Sequence, residues 1–404
     1  MKKLLFYLVP SFLAVLTAML IRFLKIEPSS YVLTSVYGLA FVAIGFMLTW
    51  AAEVTKNFIS HGITVAILGL IVVLPEYAVD IYYSYMAGLH PEGKYTQLAT
   101  ANMTGSNRLL IGIGWSLIGL LYWIHNKKKA VKLKKANSVE LIFLALATLY
   151  SFVIILKKTI SLLDMGVLFG LYAAYIYRLN KYKKEEGEEE EIGPAKIIVE
   201  QSKNKQIWII ILLGITAIAG LLSLAEPFSE SLVTTGKALG INRYLIVQWL
   251  APIASESPEI IIAIMFVING RPETSLGTLI TSKVNQWTLL IGMIPLAFSI
   301  AAGKIAALPL SEMQGQQLFL TSAQSVFAVS LILNRKLHVR DSIILMILFL
   351  TQLVLGFIYQ HDNAMSLKIL NYGSWVYLAF GIIAMVKHQK RILPIFKKGL
   401  WKSN

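Results

Sequence analysis

Two Pro-Glu pairs stand inside long apolar stretches of this chain, at 75–76 and 258–259. A proline within a helix has no N–H to donate and leaves the carbonyl oxygen four residues earlier without its hydrogen bond. Each freed carbonyl therefore lies about one helical turn from Glu76 or Glu259. A carboxylate beside a carbonyl oxygen is a ligand pair for hard cations such as Ca²⁺ and Na⁺. Pro75 and Pro258 are thus predicted to break two helices and to open a cation-binding position at each break.

The other polar residues of the apolar stretches gather in only two places, around these pairs. Asp80 follows the first pair within the same predicted helix, and a polar run from Thr104 to Arg108 comes next along the chain. The second pair lies beside Ser255 and Glu256 and is followed by a polar run from Thr281 to Gln286. The side chains whose neutral oxygens could complete a cation site are Ser106, Ser282, Ser255, Asn285 and Gln286. Small residues also pack helices closely, so helix packing is the alternative role for the first two of these serines.

The composition identifies the environment of these residues. Of the 404 residues, 56% are hydrophobic and only 15% are charged, against about 45–50% and about 25% in an average soluble domain. The apolar residues form runs of about 20, the length at which a helix crosses a bilayer. A soluble enzyme and a disordered chain are thereby excluded. The sequence contains no cysteine, which excludes disulfides and thiolate metal sites.

The apolar runs predict an all-α polytopic membrane protein of about 12 transmembrane helices. The predicted spans are 4–24, 31–51, 62–87, 97–124, 138–156, 159–178, 207–226, 244–269, 276–302, 316–333, 341–360 and 369–387. Cytoplasmic loops are enriched in Lys and Arg, so the 37 basic residues orient the chain. With twelve spans, 26 of them fall on the side of the amino terminus and nine on the other, while Arg108 and Lys283 lie within spans. Both termini are therefore predicted to be cytoplasmic, and the net charge of +15 requires no nucleic acid partner.

A charged stretch at 179–206 divides the chain into two membrane halves, 1–178 and 207–404. Its mixed charges are typical of a solvated cytoplasmic linker. The two polar groups define one repeat in each half, at about 62–124 and about 244–302. The repeats begin in the third and eighth predicted spans, so they cross the membrane in opposite directions. Inverted repeats with broken helices at the membrane midplane are the architecture of secondary transporters.

Glu76 and Glu259 are the two carboxylates that this architecture would bring to one centre. An ionised carboxylate within a membrane needs a partner of opposite charge, and one shared cation would serve both. The sequence contains neither a Walker A motif nor a His-Glu-x-x-His motif. It therefore gives no support to ATP-driven pumping or zinc proteolysis.

The two segments resemble the α-repeats of the cation/Ca²⁺ exchanger superfamily, the membrane region of the sodium/calcium exchangers. Those repeats read roughly Gly-Thr-Ser-x-Pro-Glu and then Gly-Asn-x-x-Gly-Ser-Asn-x-Phe-Asn. The matching residues are Pro75, Glu76, Asn102, Gly105, Ser106 and Asn107 in the first segment, and Ser255 (for Thr), Pro258, Glu259, Gly277 and Ser282 in the second. The resemblance implies that the two glutamates are the central cation ligands and that Ser106 and Ser282 lie beside them.

Several positions depart from the pattern of this superfamily. Val72 and Val73 replace Thr and Ser, Leu110 and Gln286 replace the closing Asn, Glu256 replaces a Ser, Lys283 replaces an Asn, and Asp80 and Arg108 are further additions. The predicted site therefore holds four acids and two fixed cations, where the superfamily has mainly two acids.

Lys283 is predicted to act as a counter-ion, and Glu256, Asp80 and Arg108 are further coupling or counter-ion candidates. A lysine beside a cation site can replace a coupling ion, and when desolvated it can also release its proton. The alternative for Lys283 is a static ion pair with Glu256, which lies three residues from Glu259 and so on the same side of a helix.

The leading functional prediction is a secondary active transporter that exchanges a cation, in the first place Ca²⁺, against Na⁺ or H⁺ by alternating access. The alternatives are a diverged proton-coupled antiporter for another cation, an intramembrane enzyme that uses the four acids for proton transfer, and a non-transporting scaffold with the same fold. No catalytic residue and no cofactor other than the transported cation is predicted. The predicted partners are small inorganic cations and the lipid bilayer of the cell membrane.

Overall fold

The computed structural model describes residues 2–58, 71, 73–181 and 191–400, and these are mostly helical. The helices of the first half are α1 (Lys2–Phe23), α2 (Ser30–Thr55), α3 (Leu74–Leu89), α4 (Tyr95–Leu98), α5 (Ala101–Leu109), α6 (Ser116–Asn126), α7 (Ser138–Lys157) and α8 (Leu162–Lys181). The helices that follow are α9 (Gly193–Val199), α10 (Lys203–Ala238), α11 (Arg243–Ile268), α12 (Pro272–Asn285), α13 (Ile291–Ala302), α14 (Glu312–Leu331), α15 (Val339–Ile358) and α16 (Asn363–Leu400).

Two short antiparallel strand pairs link the halves. The strands are β1 (Ala130–Lys132), β2 (Thr159–Ile160), β3 (Leu308–Pro309) and β4 (Lys336–His338). β1 pairs with β4 and β2 pairs with β3, with Val131 opposite Leu337 and Ile160 opposite Leu308. These four apolar side chains are fully buried. Each loop strand of the first half is therefore fastened to a loop strand of the second.

Ten helical stretches of the described residues are long and apolar enough to cross a membrane, which confirms a polytopic all-α membrane protein. They are Lys3–Phe23, Ser30–Thr55, Tyr95–Asn126, Ser138–Lys157, Leu162–Lys181, Lys203–Ala238, Arg243–Ile268, Pro272–Ala302, Val339–Ile358 and Asn363–Lys397. The predicted span 62–87 falls partly outside the described residues and ends in α3. The predicted span 316–333 lies almost wholly within α14, a helix of 20 residues that is rich in Gln and Ser. The count of twelve spans therefore stays a prediction.

The two halves repeat one arrangement of helices. A π-helical segment, Leu110–Trp115, joins α5 to α6, and a second, Gln286–Leu290, joins α12 to α13. The halves also pack across each other in matched pairs, since α2 contacts α11 while α10 contacts α3, and α6 contacts α11 while α13 contacts α3. Short π-helical segments within α-helices often occur at functional sites. Both π segments begin four residues after the serine of their polar run.

The prolines of the two Pro-Glu pairs occupy different positions. Pro75 lies in the first turn of α3, where a missing N–H costs nothing because the first N–H groups of a helix have no intrahelical partner. Pro258 lies inside α11, which continues through it and through Pro252. The prediction of a helix break at Pro258 is therefore wrong. Pro258 removes only one backbone hydrogen bond from α11, and a helix tolerates this loss when neighbouring helices pack against it.

Close helix packing explains why α11 can carry two prolines. Pro252 leaves the carbonyl oxygen of Gln248 without its helical donor, and this carbonyl lies against Gly105 of α5. A Cβ at position 105 would overlap the carbonyl group of Gln248. Likewise, Gly45 of α2 packs on the ring of Pro258, 2.6 Å from where a Cβ would lie. The glycines therefore let α2 and α5 approach α11 at its prolines.

The predicted solvated linker at 179–206 is helical over much of its described part. Residues 182–190 lie outside the described part of the chain. Beyond them, α9 packs on α1 and α2 and buries Pro194, Ala195 and Ile198. Asn57 at the end of α2 donates a hydrogen bond to Glu191 at 3.3 Å. α9 therefore belongs to the packed protein, because its apolar side chains are buried against α1 and α2.

Candidate cation-binding site

Glu76 and Glu256 meet in the interior of the protein. Glu76 lies in the first turn of α3 and Glu256 in α11, and both side chains are buried. Their carboxyl groups lie within hydrogen-bonding range of each other. Gln286, the first residue of the second π segment, bridges them through Nε2, 2.6 Å from Glu256 Oε1 and 3.3 Å from Glu76 Oε2. Two buried carboxyl groups this close require a proton or a cation between them.

Glu259 lies one turn further along α11 and is also buried. Its Oε2 accepts a hydrogen bond of 2.5 Å from the hydroxyl of Ser282 in α12. The matching hydroxyl of the first half, on Ser106 in α5, lies beside Glu76 and has no hydrogen-bond partner among the described residues. The predicted ligands Glu76, Glu259, Ser106 and Ser282 are therefore neighbours in one polar cluster.

Hard oxygen atoms dominate this cluster. Glu76 Oε1, Glu256 Oε2 and the Gln286 Oε1 amide oxygen are buried and have no donor among the described residues. Carboxylate, amide and hydroxyl oxygens are the ligands that Ca²⁺ prefers. Within the described part of the chain, no three acidic or histidine side chains are already arranged as a metal site. Gln286 bridges Glu76 and Glu256, and Glu259 lies near Glu256 because both belong to α11. The three carboxyl groups are therefore not arranged as a preformed metal site.

Ser255 forms its hydrogen bonds within its own helix. Its hydroxyl donates to the carbonyl oxygen of Ala251 at 3.2 Å, one turn back in its own helix. This is the local bond that serine forms readily within helices. Among the described residues, no hydrogen bond joins Ser255 to a glutamate, and its role as a ligand stays a prediction.

Lys283 binds the other half of the protein. Its Nζ lies 2.5 Å from the carbonyl oxygen and 2.7 Å from Oδ1 of Asn107, and 5.3 Å from the ring centroid of Trp287. Lys283 is fully buried, and it lies close enough to Glu76 and Glu256 to interact electrostatically. The static ion pair with Glu256 is absent from the described contacts. Lys283 instead donates hydrogen bonds to two oxygens of Asn107, the residue at the matching position of the first repeat.

Arg108 points away from the four acids. Its Nη2 donates to Gln317 Oε1 at 2.8 Å, and its guanidinium lies 4.9 Å from the ring centroid of Trp249. Gln248 donates to the same oxygen of Gln317 at 3.1 Å and to the hydroxyl of Thr104 at 3.1 Å. This buried network holds α5, α11 and α14 together. Its geometry fits a structural role for Arg108 better than a role as a counter-ion of the glutamates.

The polar face of α14 is the part of the interior that the sequence analysis missed. The buried polar residues of this helix are Gln314, Gln317, Thr321, Ser322, Gln324, Ser325 and Ser330. Ser325 accepts from the indole N–H of Trp287 at 3.0 Å, and Gln324 donates to the carbonyl oxygen of Arg108 at 3.4 Å. The prediction that the polar residues of the apolar stretches gather in only two places was therefore wrong. The density of Gln and Ser in the predicted span 316–333 was the signal that could have revealed this third group.

Asp80 lies one turn beyond Glu76 on the same face of α3 and is buried. It lies beside the side chain of Asn102 in α5. The backbone N–H of Met103 also faces it, but neither carboxylate oxygen of Asp80 accepts a hydrogen bond of good geometry among the described residues. Asp80 therefore belongs to the same polar layer as Glu76 but not to the Gln286 bridge.

Comparison with known proteins places this arrangement among exchangers. The sequence model of the family described as sodium/calcium exchanger protein matches residues 5–180 and 209–358. No curated protein matches the chain.

Solved structures give the same result. The structure of the H⁺/Ca²⁺ exchanger CAX is 38% identical, with 98% of each chain covered and a TM-score of 0.90. The Ca²⁺/H⁺ antiporter protein YfkE is 17% identical, with 86% of this chain and 99% of the other covered and a TM-score of 0.59. The sodium-calcium exchanger NCX_Mj is 18% identical, with 80% and 98% covered and a TM-score of 0.53. The last two show the fold alone.

Proposed function

The chain belongs to the sodium/calcium exchanger protein family, and from this premise we propose that it exchanges Ca²⁺ for H⁺ across the membrane. The observation that carries the choice of H⁺ is the pair of buried carboxyl groups of Glu76 and Glu256. Because the two carboxyl groups lie within hydrogen-bonding range, the pair holds a proton when no cation is present, since two adjacent buried carboxylates repel each other. A Ca²⁺ ion supplies two positive charges to the same oxygens and displaces that proton.

The proposed ligands follow from this competition. Glu76, Glu256 and Glu259 supply carboxylate oxygens, and Ser106 and Ser282 supply hydroxyl oxygens. The amide oxygen of Gln286 is a further neutral ligand, because its Nε2 already spans the carboxyl pair. Both repeats contribute to the site. A relative movement of the two halves would therefore open it to one side of the membrane at a time.

The 38% identical relative carries the name of an H⁺/Ca²⁺ exchanger, which supports Ca²⁺ as the substrate and H⁺ as the coupling ion. Coupling to Na⁺ is the alternative that the family name suggests. An intramembrane enzyme is less well supported, because the polar side chains bound to Glu76, Glu256 and Glu259 are Gln286 and Ser282 and the sequence contains no recognisable catalytic motif. A non-transporting scaffold is also less well supported, because it gives no function to the buried carboxyl pair of Glu76 and Glu256.

The proposal is tested by Ca²⁺ flux into vesicles that contain the purified protein. We expect a pH gradient to drive Ca²⁺ uptake, and an Na⁺ gradient at equal pH to drive none. Glu76→Gln and Glu259→Gln should each abolish uptake, because each removes a carboxylate ligand while preserving the side-chain shape. Glu273→Gln in the first turn of α12, outside the cluster, is the matched control and should transport normally. Full transport by either site variant, or uptake driven by Na⁺ alone, would overturn the proposal.

We further propose that the halves 1–178 and 207–404 are joined on the cytoplasmic side and that both termini face the cytoplasm. The support is the distribution of basic residues, which favours the loop at 127–135 and the stretch 179–206 on that side. The chain contains no cysteine, so Lys128→Cys provides a single labelling position. An impermeant thiol reagent should label it only from the cytoplasmic side. Labelling from the outside, with Lys304→Cys labelled from the inside, would reverse the orientation.

A further inference from the structure

A ladder of buried polar side chains extends from the Ca²⁺ site along α3. Glu76, Asp80 and Ser84 recur every four residues and so share one face of this helix. Across from them, Asn102 and Ser106 are also four residues apart on α5. Ser106 lies beside Glu76 and Asn102 lies beside Asp80. The second rung of this ladder, formed by Asp80 and Asn102, lies towards the end of α3 that leads into the loop at 90–94.

The second rung is buried but not satisfied. Asp80 is 2% exposed, and Asn102 and Ser84 are fully buried. Within the described residues, both carboxylate oxygens of Asp80, both polar atoms of the Asn102 side chain and the hydroxyl of Ser84 make no hydrogen bond of good geometry, although Asn102 and the backbone N–H of Met103 face Asp80. Buried polar atoms are rarely left unpaired, since each costs about 1–3 kcal/mol. Five such atoms in one place point to a missing ligand.

The charge of Asp80 is also uncompensated. Among the described ion pairs, none includes Asp80. The buried basic side chains of the described residues are engaged elsewhere, since Arg108 donates to Gln317, Lys283 donates to Asn107 and Arg178 donates to the carbonyl oxygen of Gly399. An ionised carboxylate in the membrane interior requires a positive partner. When Asp80 is ionised, the rung therefore has one negative charge and several neutral oxygens to offer.

The second repeat lacks this rung. The position four residues after Glu259 is Ala263, and the position four residues before Ser282 is Thr278, an exposed residue whose hydroxyl donates to its own helix. The symmetry of the fold therefore does not require a polar pair here. Asp80 is an addition to the resembled pattern, Asn102 matches that pattern, and the pair occurs in one half and on one side of the membrane only.

From these observations we propose that Asp80, Asn102 and Ser84 form a second cation site that takes a monovalent alkali cation such as Na⁺. A single negative charge among neutral oxygens is balanced by one positive charge, whereas Ca²⁺ would leave a positive charge uncompensated in a medium of low dielectric. The ion at this site is a resident ligand and is not the coupling ion. The site rests on the fold and not on the proposed Ca²⁺/H⁺ exchange.

The test is equilibrium binding of radioactive Na⁺ to the purified full-length protein at pH 8 without Ca²⁺. We expect wild type to bind one saturable Na⁺ per chain. Asp80→Asn should weaken this binding by at least about tenfold, because it removes the only charged ligand. Asn102→Ala should weaken it less, since only a neutral oxygen is lost. Asp362→Asn, the same change at an exposed position, is the matched control and should bind like wild type.

Three results would overturn the second site. The first is no saturable Na⁺ binding by wild type, which would mean that Asp80 is protonated. The second is equal Na⁺ binding by wild type and Asp80→Asn. The third is loss of Na⁺ binding in Glu259→Gln, which would place the ion in the Ca²⁺ site. Thermal unfolding of each variant identifies a folding failure, and in that case Asn102→Ala decides. Radioactive Ca²⁺ binding in the same samples tests the proposed function separately, because Asp80→Asn should retain it and Glu259→Gln should lose it.

Discussion

A third buried carboxyl group, that of Glu256, determines the chemistry proposed at the level of single residues. The resembled pattern has a serine at this position, and a serine beside Glu76 would leave one carboxylate free to share a bound cation. Glu256 instead forms a carboxyl pair with Glu76 that Gln286 bridges. The sequence indicated that four acids and two bases lie within the membrane. It could not show which of them pair, because pairing depends on contacts between residues of different repeats.

Lys283 leads to a prediction at the same scale. Its ammonium occupies two oxygens of Asn107, and we expect it to act as a fixed cation in a place where a monovalent ion could otherwise bind. Lys283→Asn restores the residue of the resembled pattern and frees those oxygens. Ca²⁺ uptake driven by an Na⁺ gradient at equal pH should therefore become measurable in this variant, while wild type shows none.

The control for this variant is Lys304→Asn in an exposed loop, which should behave like wild type. Uptake by Lys283→Asn that still requires a pH gradient and ignores Na⁺ would show that the lysine only holds the two repeats together. Thermal unfolding then reports that structural role directly.

At the level of helices, the pairing of glycine with proline sets the distance between α5 and α11. Close helix packing was the alternative that the sequence offered for the small residues of the polar segments, and Gly105 packs against α11 in this way. The sequence predicted wrongly that Pro258 ends its helix. The error arose because proline weakens a helix locally, whereas the packing of Gly45 and Gly105 against α11 stabilises the helix around both prolines.

Gly105→Ala should therefore destabilise the protein. The added methyl group meets the carbonyl group of Gln248, which the backbone of α11 holds in place, so α5 must move. Overpacking of this kind costs about 1–3 kcal/mol and sometimes more. We expect lower thermal stability and a loss of Ca²⁺ transport, since α5 also carries Ser106.

Gly166→Ala in α8 is the matched control, because no heavy atom lies within 4 Å of the added Cβ. Alanine is favoured over glycine inside a helix by about 1 kcal/mol. This variant should therefore be as stable as wild type or more so. Equal stability of Gly105→Ala and Gly166→Ala would contradict the close contact between α5 and α11.

At the level of the whole molecule, hydropathy and charge predicted the fold class and the repeat of one helical unit in each half. They predicted α14 as the span 316–333 but did not reveal its buried polar face, because hydropathy averages its Gln and Ser residues with their apolar neighbours. They also did not predict that β1–β4 and β2–β3 fasten the halves together, since two- and three-residue strands have no periodicity to detect. The site is thus predictable as a set of residues, and its pairings follow only from the packed halves.

The measurement that tests the central claim most directly is the number of protons released when Ca²⁺ binds. Calorimetric titration of the purified protein with Ca²⁺, repeated in buffers with different enthalpies of ionisation, gives this number. If Ca²⁺ and H⁺ compete for Glu76 and Glu256, binding near neutral pH should release about one proton or more. The apparent affinity for Ca²⁺ should then rise with pH, and Glu256→Gln should release fewer protons. Identical heats in all buffers, with an affinity that does not change with pH, would contradict the account.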